Sequence, residues 1–161
     1  MIILGVDPGL GLTGYGVIEI DRKRKLKLKE AGVIKTSHKD TISARLENIY
    51  DNFSELATEY KPEVLVLEKL YSHYKHPVTS ILMGHSRGVV CLAAGMFKIK
   101  LVNYPSTRIK KSVTGNGHAS KVQVQGAIQN LFGLKKKPEP VDVSDALAAA
   151  LTYVNMELKG I

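Results

Sequence analysis

Residues 2–6 form an unbroken apolar run, Ile2-Ile3-Leu4-Gly5-Val6, that stops at Asp7-Pro8-Gly9. A run of this length closed by a turn tripeptide predicts a buried strand over residues 2–7. Residues 13–20 carry Tyr15, Val17, Ile18 and Ile20 and predict a second strand. Over 25–36, Lys and Leu alternate before Val33-Ile34, the pattern of a strand with one wet face, and the charged tip at 21–24 joins the two as a hairpin. The period then changes. Leu46, Ile49, Tyr50, Phe53, Leu56, Ala57 and Tyr60 recur at helical spacing, with Pro62 just beyond. Residues 64–67 are solidly apolar and end in Glu68, which predicts a central strand buried on both faces. Residues 77–97 predict a long helix rich in small residues, and Leu101-Val102 a short strand stopped by Pro105. The remainder reads as helix, with pieces at 121–132 and 144–158. The order is β-β-β-α-β-α-β-α-α. Tight turns among the first three strands imply an antiparallel meander, and the helical connections imply parallel crossovers. The expectation is an α/β fold, a mixed five-stranded sheet flanked by helices, in one domain over 1–161.

Charge narrows the picture. Twenty-three Lys and Arg against fifteen Asp and Glu leave a net +8. Such a balance suits a polyanionic partner, whose condensed counterions are released when phosphates are neutralised. It serves solubility equally well. One cysteine, Cys91, excludes an internal disulfide and lies in an apolar run that makes it a core candidate rather than a nucleophile. The chain shows no basic lead-in, no apolar stretch of membrane-spanning length and no zinc-ligand spacing. A soluble, intracellular protein is expected.

Four acids fall at positions where chemistry is possible. Asp7 and Glu68 each end an apolar strand. If those strands are parallel neighbours, both carboxylates lie on the sheet edge where open α/β folds place ligands, about 4.8 Å apart. Asp142 and Asp145, at i and i+3, share one face of the last helix near its start. Each has an ordinary alternative. Asp7 can close its own Asp-Pro turn, Glu68 can meet solvent, and the two aspartates can serve as a helix cap and its support. Together they make an oxygen-only set suited to hard divalent ions. Two such ions would activate water and stabilise a leaving oxygen.

The motifs carry a resemblance. The stretch Ile3-Leu4-Gly5-Val6-Asp7-Pro8-Gly9, continuing through Thr13-Gly14-Tyr15-Gly16-Val17, resembles the opening of the RuvC family of bacterial Holliday-junction resolvases, the crossover junction endodeoxyribonucleases. Leu67-Glu68 is similar to the family's second acidic motif, and Gly84-His85-Ser86-Arg87-Gly88-Val89 to its central helix. Asp142-Val143-Ser144-Asp145-Ala146-Leu147-Ala148 resembles its C-terminal motif. The resemblance spans nearly the whole chain. It implies an RNase H-like fold and a structure-specific endonuclease that cuts four-way junctions by paired symmetric nicks in recombination and repair. It implies Asp7, Glu68, Asp142 and Asp145 as catalytic metal ligands for Mg²⁺, two ions per subunit, with Mn²⁺ able to substitute. Tyr71 falls where the family stacks an aromatic on bases, and Lys110 and Lys121 fall at DNA-contacting positions. A rim tyrosine and solvated lysines are the competing readings. Arg108-Ile109-Lys110-Lys111 before Gly115-Asn116-Gly117 is expected to form a basic loop, and Lys135-Lys136-Lys137 to face water. The resemblance further implies a homodimer, the RuvA–RuvB branch-migration proteins as partners, and a bacterial cytoplasmic location. The helix at 77–97, rich in Gly and Ala with Leu and Met candidates for exposure, is the expected interface, and plain burial against the sheet is the competing reading.

Three other classes stay open at this level. A two-lobed ATP-binding protein also joins Asp to a glycine-rich hairpin, but this chain has room for one lobe. A junction-binding protein without catalysis would not need all four acids. An RNase H-like nuclease acting on RNA or other DNA structures differs only in substrate, and fold does not settle substrate.

Overall fold

The structure is a computed structural model that describes residues 1–69, 77–158 and 160. Five strands form one mixed sheet in the order β3-β2-β1-β4-β5. They are β1 (Ile2–Asp7), β2 (Leu12–Ile20), β3 (Leu26–Lys35), β4 (Val64–Glu68) and β5 (Lys100–Tyr104). The first three are an antiparallel meander, and β4 and β5 join as parallel strands, β4 beside β1. The β2–β3 hairpin turns where the charged tip predicted it, with the Asp21 N–H donating to the Lys25 carbonyl at 3.1 Å.

Side-chain alternation divides the core in two. On one face Leu4, Val6, Val17, Leu65 and Leu67 pack with Ile49 and Phe53 of α1 (Ile42–Tyr60) and Val90, Ala93 and Ala94 of α2 (Pro77–Met96). On the other, Ile3, Ile18, Ile20, Val64 and Val66 meet three helices, α3 (Ser106–Thr114), α4 (Lys121–Phe132) and α5 (Val141–Tyr153). Helix α1 starts at a Thr41 N-cap, earlier than periodicity indicates, and ends where Lys61 turns left-handed before Pro62.

Several expectations need correction. Residues 108–111 are helical, within α3, and not a loop; the buried Ile109 anchors that helix against the core. Three helices therefore follow β5 rather than two. The last begins at Val141 rather than 144 and passes after Tyr153 into a single π turn, Val154–Leu158. Cys91 is half-buried and packs at the rim of the α1–α2 core. On α2 the outward stripe is Val78, Ile81, Leu92 and Met96, each 60–67% exposed, whereas Leu82 packs against the core. Lys135, Lys136 and Lys137 are exposed.

Candidate active site

Alternation also aims the acids. Asp7 continues the row Ile3, Gly5 on β1, and Glu68 continues the row Val64, Val66 on β4, so both face the α3–α5 layer. The last paired residues of the two strands are Val6 and Leu67, which leaves the acids side by side one step further on. The turn after Asp7 is closed by Thr13, not by the aspartate. The buried Thr13 hydroxyl donates to the Gly9 carbonyl at 2.7 Å and accepts from the Gly9 N–H at 3.3 Å.

Helix α5 reaches the same point because the sheet lacks side chains beneath it. Gly5 pairs with Gly16 and Asp7 with Gly14 across β1 and β2. A Cβ on Gly5 would come within 1.9 Å of the Ala146 carbonyl oxygen, and one on Gly14 within 2.2 Å of the Asp142 carbonyl oxygen. The first turns of α5 therefore lie backbone against backbone on the strands. Asp142 does not cap this helix: the N-cap is Pro140, with no side-chain cap bond.

Asp7, Glu68, Asp142 and Asp145 line one cleft of about 770 Å³ together with Lys69, Arg87, Ser106, Lys110 and Lys121. The structure thus brings together the four acids and both lysines that the sequence singled out. Tyr71 lies outside the described residues. Lys121 opens α4 directly after a Ser120–Gln123 capping box, and its Nζ stands 3.6 Å from Asp145 Oδ2. A cation at a helix N-terminus opposes the macrodipole, so that placement does nothing for the helix. The pair itself is weak, since Lys121 is largely exposed and screened.

Electrostatics mark the cleft as short of positive charge. Burial pushes the Asp7 carboxyl up to about 7, and Asp145, Asp142 and Glu68 push it the same way against Lys121. Burial also raises Glu68, opposed by a hydrogen bond from Ser106 and by Lys110 and Lys121, with Asp145 adding to the rise. Asp145 is raised by burial, with Lys121 the main opposing charge. An acid cluster that its own lysines do not neutralise fits a hard divalent ion, which takes oxygen donors. Among the described residues no three His, Cys, Asp or Glu side chains stand together closely enough to hold a metal ion in this structure.

Sequence reasoning missed Arg87 and Ser106. Arg87 had a signal: it stands at i, i+3, i+7 with Val90 and Ala94, on the inward stripe of α2.

An α/β sheet of this order, with acids at the carboxyl ends of its first and fourth strands and on a helix laid across them, defines the class of RNase H-like nucleases. The family model "Crossover junction endodeoxyribonuclease RuvC" matches residues 3–153. The enzyme of that name from Rhodopirellula baltica is 48% identical over 149 residues, 92% of this chain and 83% of that protein. The Thermus thermophilus RuvC structure superposes with a TM-score of 0.89 at 30% identity, covering 99% of this chain and 97% of that one. A second structure, T. thermophilus RuvC in complex with Holliday junction substrate, gives 0.89 at 29% identity, covering 99% of this chain and 96% of that one. The chain belongs to the RuvC family of crossover junction endodeoxyribonucleases. Membership implies dependence on a divalent metal. Among the described residues, no helix is long and apolar enough to cross a membrane.

Proposed function

We propose that this chain resolves four-way DNA junctions by paired, symmetric hydrolytic nicks, with Asp7, Glu68, Asp142 and Asp145 holding Mg²⁺. The observation that carries the reading is the gathering of four carboxylates into one cleft in a chain of net +8. The relative solved in complex with a Holliday junction substrate supports the choice of DNA. Bound there, divalent ions supply an activated water and neutralise charge on the phosphate. Asp7 feels all three other acids, so its charge is the one a bound divalent ion would relieve most. Ser106 orients Glu68, and Lys110 and Lys121 draw the phosphodiester backbone into a cleft whose carboxylates would otherwise repel it. Tyr71 is assigned to base stacking at the crossover.

We further infer a homodimer through the exposed stripe of α2. An apolar row of this kind, rimmed by polar residues, marks an interaction surface. A two-fold dimer provides two sites related by the symmetry of the junction. The RuvA–RuvB proteins are the expected partners, and the bacterial cytoplasm the expected location.

The test is incision of a synthetic four-way junction and a matched linear duplex by purified protein, with and without Mg²⁺. Paired nicks confined to the junction and to Mg²⁺ are expected. Equal cutting of the linear duplex, or of RNA, would move the chain to another RNase H-like substrate class.

A further inference from the structure

Arg87 stands in the wall of the cleft without belonging to its acids or its lysines. Its Nη1 donates to the main-chain carbonyl of Glu68 at 2.6 Å, and its Nη2 donates to Asn103 Oδ1. These acceptors sit on adjacent strands, one register step apart: Leu67 pairs with Asn103 and Glu68 with Tyr104. The ladder continues for one more bond, with the Lys69 N–H donating to the Tyr104 carbonyl at 2.8 Å. Arg87 therefore grips β4 at its last residue, beside the point where the chain leaves the sheet.

The rest of the helix explains why the grip is firm. Val90 and Ala94, on the same stripe, are buried against the sheet and fix the height and rotation of α2. A cation on such a stripe needs oxygen partners. Among the described residues it takes a carbonyl and an amide, not a carboxylate. The charges that act most on the Glu68 carboxylate are those of Asp145, Lys110 and Lys121. Arg87 thus meets Glu68 through the backbone, while Ser106, at the start of α3, bonds its carboxylate. Two elements hold the two ends of one residue. A planar guanidinium reaches the two acceptors from two nitrogens in a fixed fork, whereas an ammonium must reach both from a single nitrogen.

We propose that Arg87 is a positioning residue: by bridging the Glu68 carbonyl to Asn103 it fixes the end of β4 against β5 and α2, and so aims the Glu68 carboxylate into the cleft. The inference rests on the metal-dependent reading of the site, and it assigns Arg87 no contact with DNA.

Wild type, Arg87→Gln, Arg87→Lys and Asn103→Ala are compared as full chains by two readouts. One is the rise in melting temperature on titration with Mg²⁺ or Mn²⁺ alone. The other is junction affinity without metal over a range of salt. Arg87→Gln is expected to raise the metal concentration at half-effect by about tenfold or more, the usual cost of removing a group that orients a ligand. Junction affinity and its salt slope stay within about twofold of wild type, since no phosphate contact is lost. Asn103→Ala keeps the cation and shifts the metal requirement in the same direction by less. Arg87→Lys recovers only part of the loss. If Arg87→Gln does not fold, Asn103→Ala carries the test alone. An unchanged metal requirement in Asn103→Ala overturns the proposal. So does a fall of about 1 in the salt slope for Arg87→Gln, which would make Arg87 a phosphate contact. Failure of the wild type to cut junctions with Mg²⁺ sinks the activity reading instead and leaves the metal titrations interpretable.

Discussion

The two faces of the sheet are built by opposite means. Against α1 and α2 the strands present Leu4, Val6, Val17, Leu65 and Leu67, and the helices answer with Ile49, Phe53 and Val90. Against α5 the central strands present Gly5, Gly14 and Gly16, and the helix answers with the backbone of Ala146 and Asp142 and the side chain of Leu147. The first face separates its layers by side-chain volume and holds them by apolar burial. The second removes side chains so that a helix can lie close enough to bring Asp142 and Asp145 to the ends of β1 and β4. Both faces bury apolar side chains, but beneath the start of α5 the missing side chains set geometry. Substitutions of equal size should therefore do different things on the two sides.

The largest effect belongs to the acids on the close-packed side. Asp7→Asn, Glu68→Gln, Asp142→Asn and Asp145→Asn should each slow junction cleavage in Mg²⁺ by at least ~10²–10³-fold, because each removes a charge that would hold the ion. Metal-free junction binding should persist. Near wild-type cutting by any of the four removes that residue from the site.

Next comes a single methyl group. Gly14→Ala would drive a Cβ into the Asp142 carbonyl and displace the first turn of α5. Misplacement by about 1 Å costs on the order of 10²-fold in rate, whereas overpacking costs ~1–3 kcal/mol of stability. Single-turnover cleavage and a denaturant melt, run together, separate the two. A folded Gly14→Ala enzyme that cuts at the wild-type rate would break the link between the glycine row and the aspartates.

The third effect is on stability and depends on pH. The Asp7 carboxyl titrates near 7 in the fold, against an ordinary value of 3.8. Its ionised form is therefore disfavoured in the native state, and the penalty is complete above about 7. It is relieved as pH falls through 7 towards 4, by at most ~4 kcal/mol from this group. Glu68 and Asp145 are raised as well and act in the same direction. Metal-free protein should melt higher at pH 5.5 than at pH 8, as estimated from linkage. Asp7→Asn should melt above wild type in chelator at pH 8, by a few degrees. Mg²⁺ should close that gap. A wild type that is the more stable of the two in chelator would mean that Asp7 is stabilised by a partner in the fold.

The smallest effect is expected opposite the site. Ile49→Val trims the well-filled α1 face and should cost ~0.5–1.5 kcal/mol with cleavage unchanged. A rate loss exceeding the stability loss would show that the two faces are mechanically coupled.

The strands were legible because buried strands leave unbroken apolar runs; the four acids that the cleft gathers could be singled out because each ended such a run or sat in a recurring motif. Helix α3 was not. Its sequence, Ser-Thr-Arg-Ile-Lys-Lys-Ser-Val-Thr, offers only Ile109 and Val113 as apolar anchors among β-branched and polar residues, so tertiary packing rather than propensity forms it. The glycine row was invisible for another reason. Gly5, Gly14 and Gly16 become one surface only when β1 and β2 pair in register, which no local window contains. Leu82, unlike Ile81, packs against the core, because one step along a helix turns by 100°, a rotation that alternation of apolar residues in the sequence does not reveal.

The most direct measurement locates the ion. Crystals soaked in Mn²⁺, with anomalous scattering recorded at the manganese edge, should show density among Asp7, Glu68, Asp142 and Asp145, and none there in Asp7→Asn. Manganese found elsewhere, with these four carboxylates empty under conditions in which the protein cuts junctions, would contradict a metal centre built on the close-packed face of the sheet.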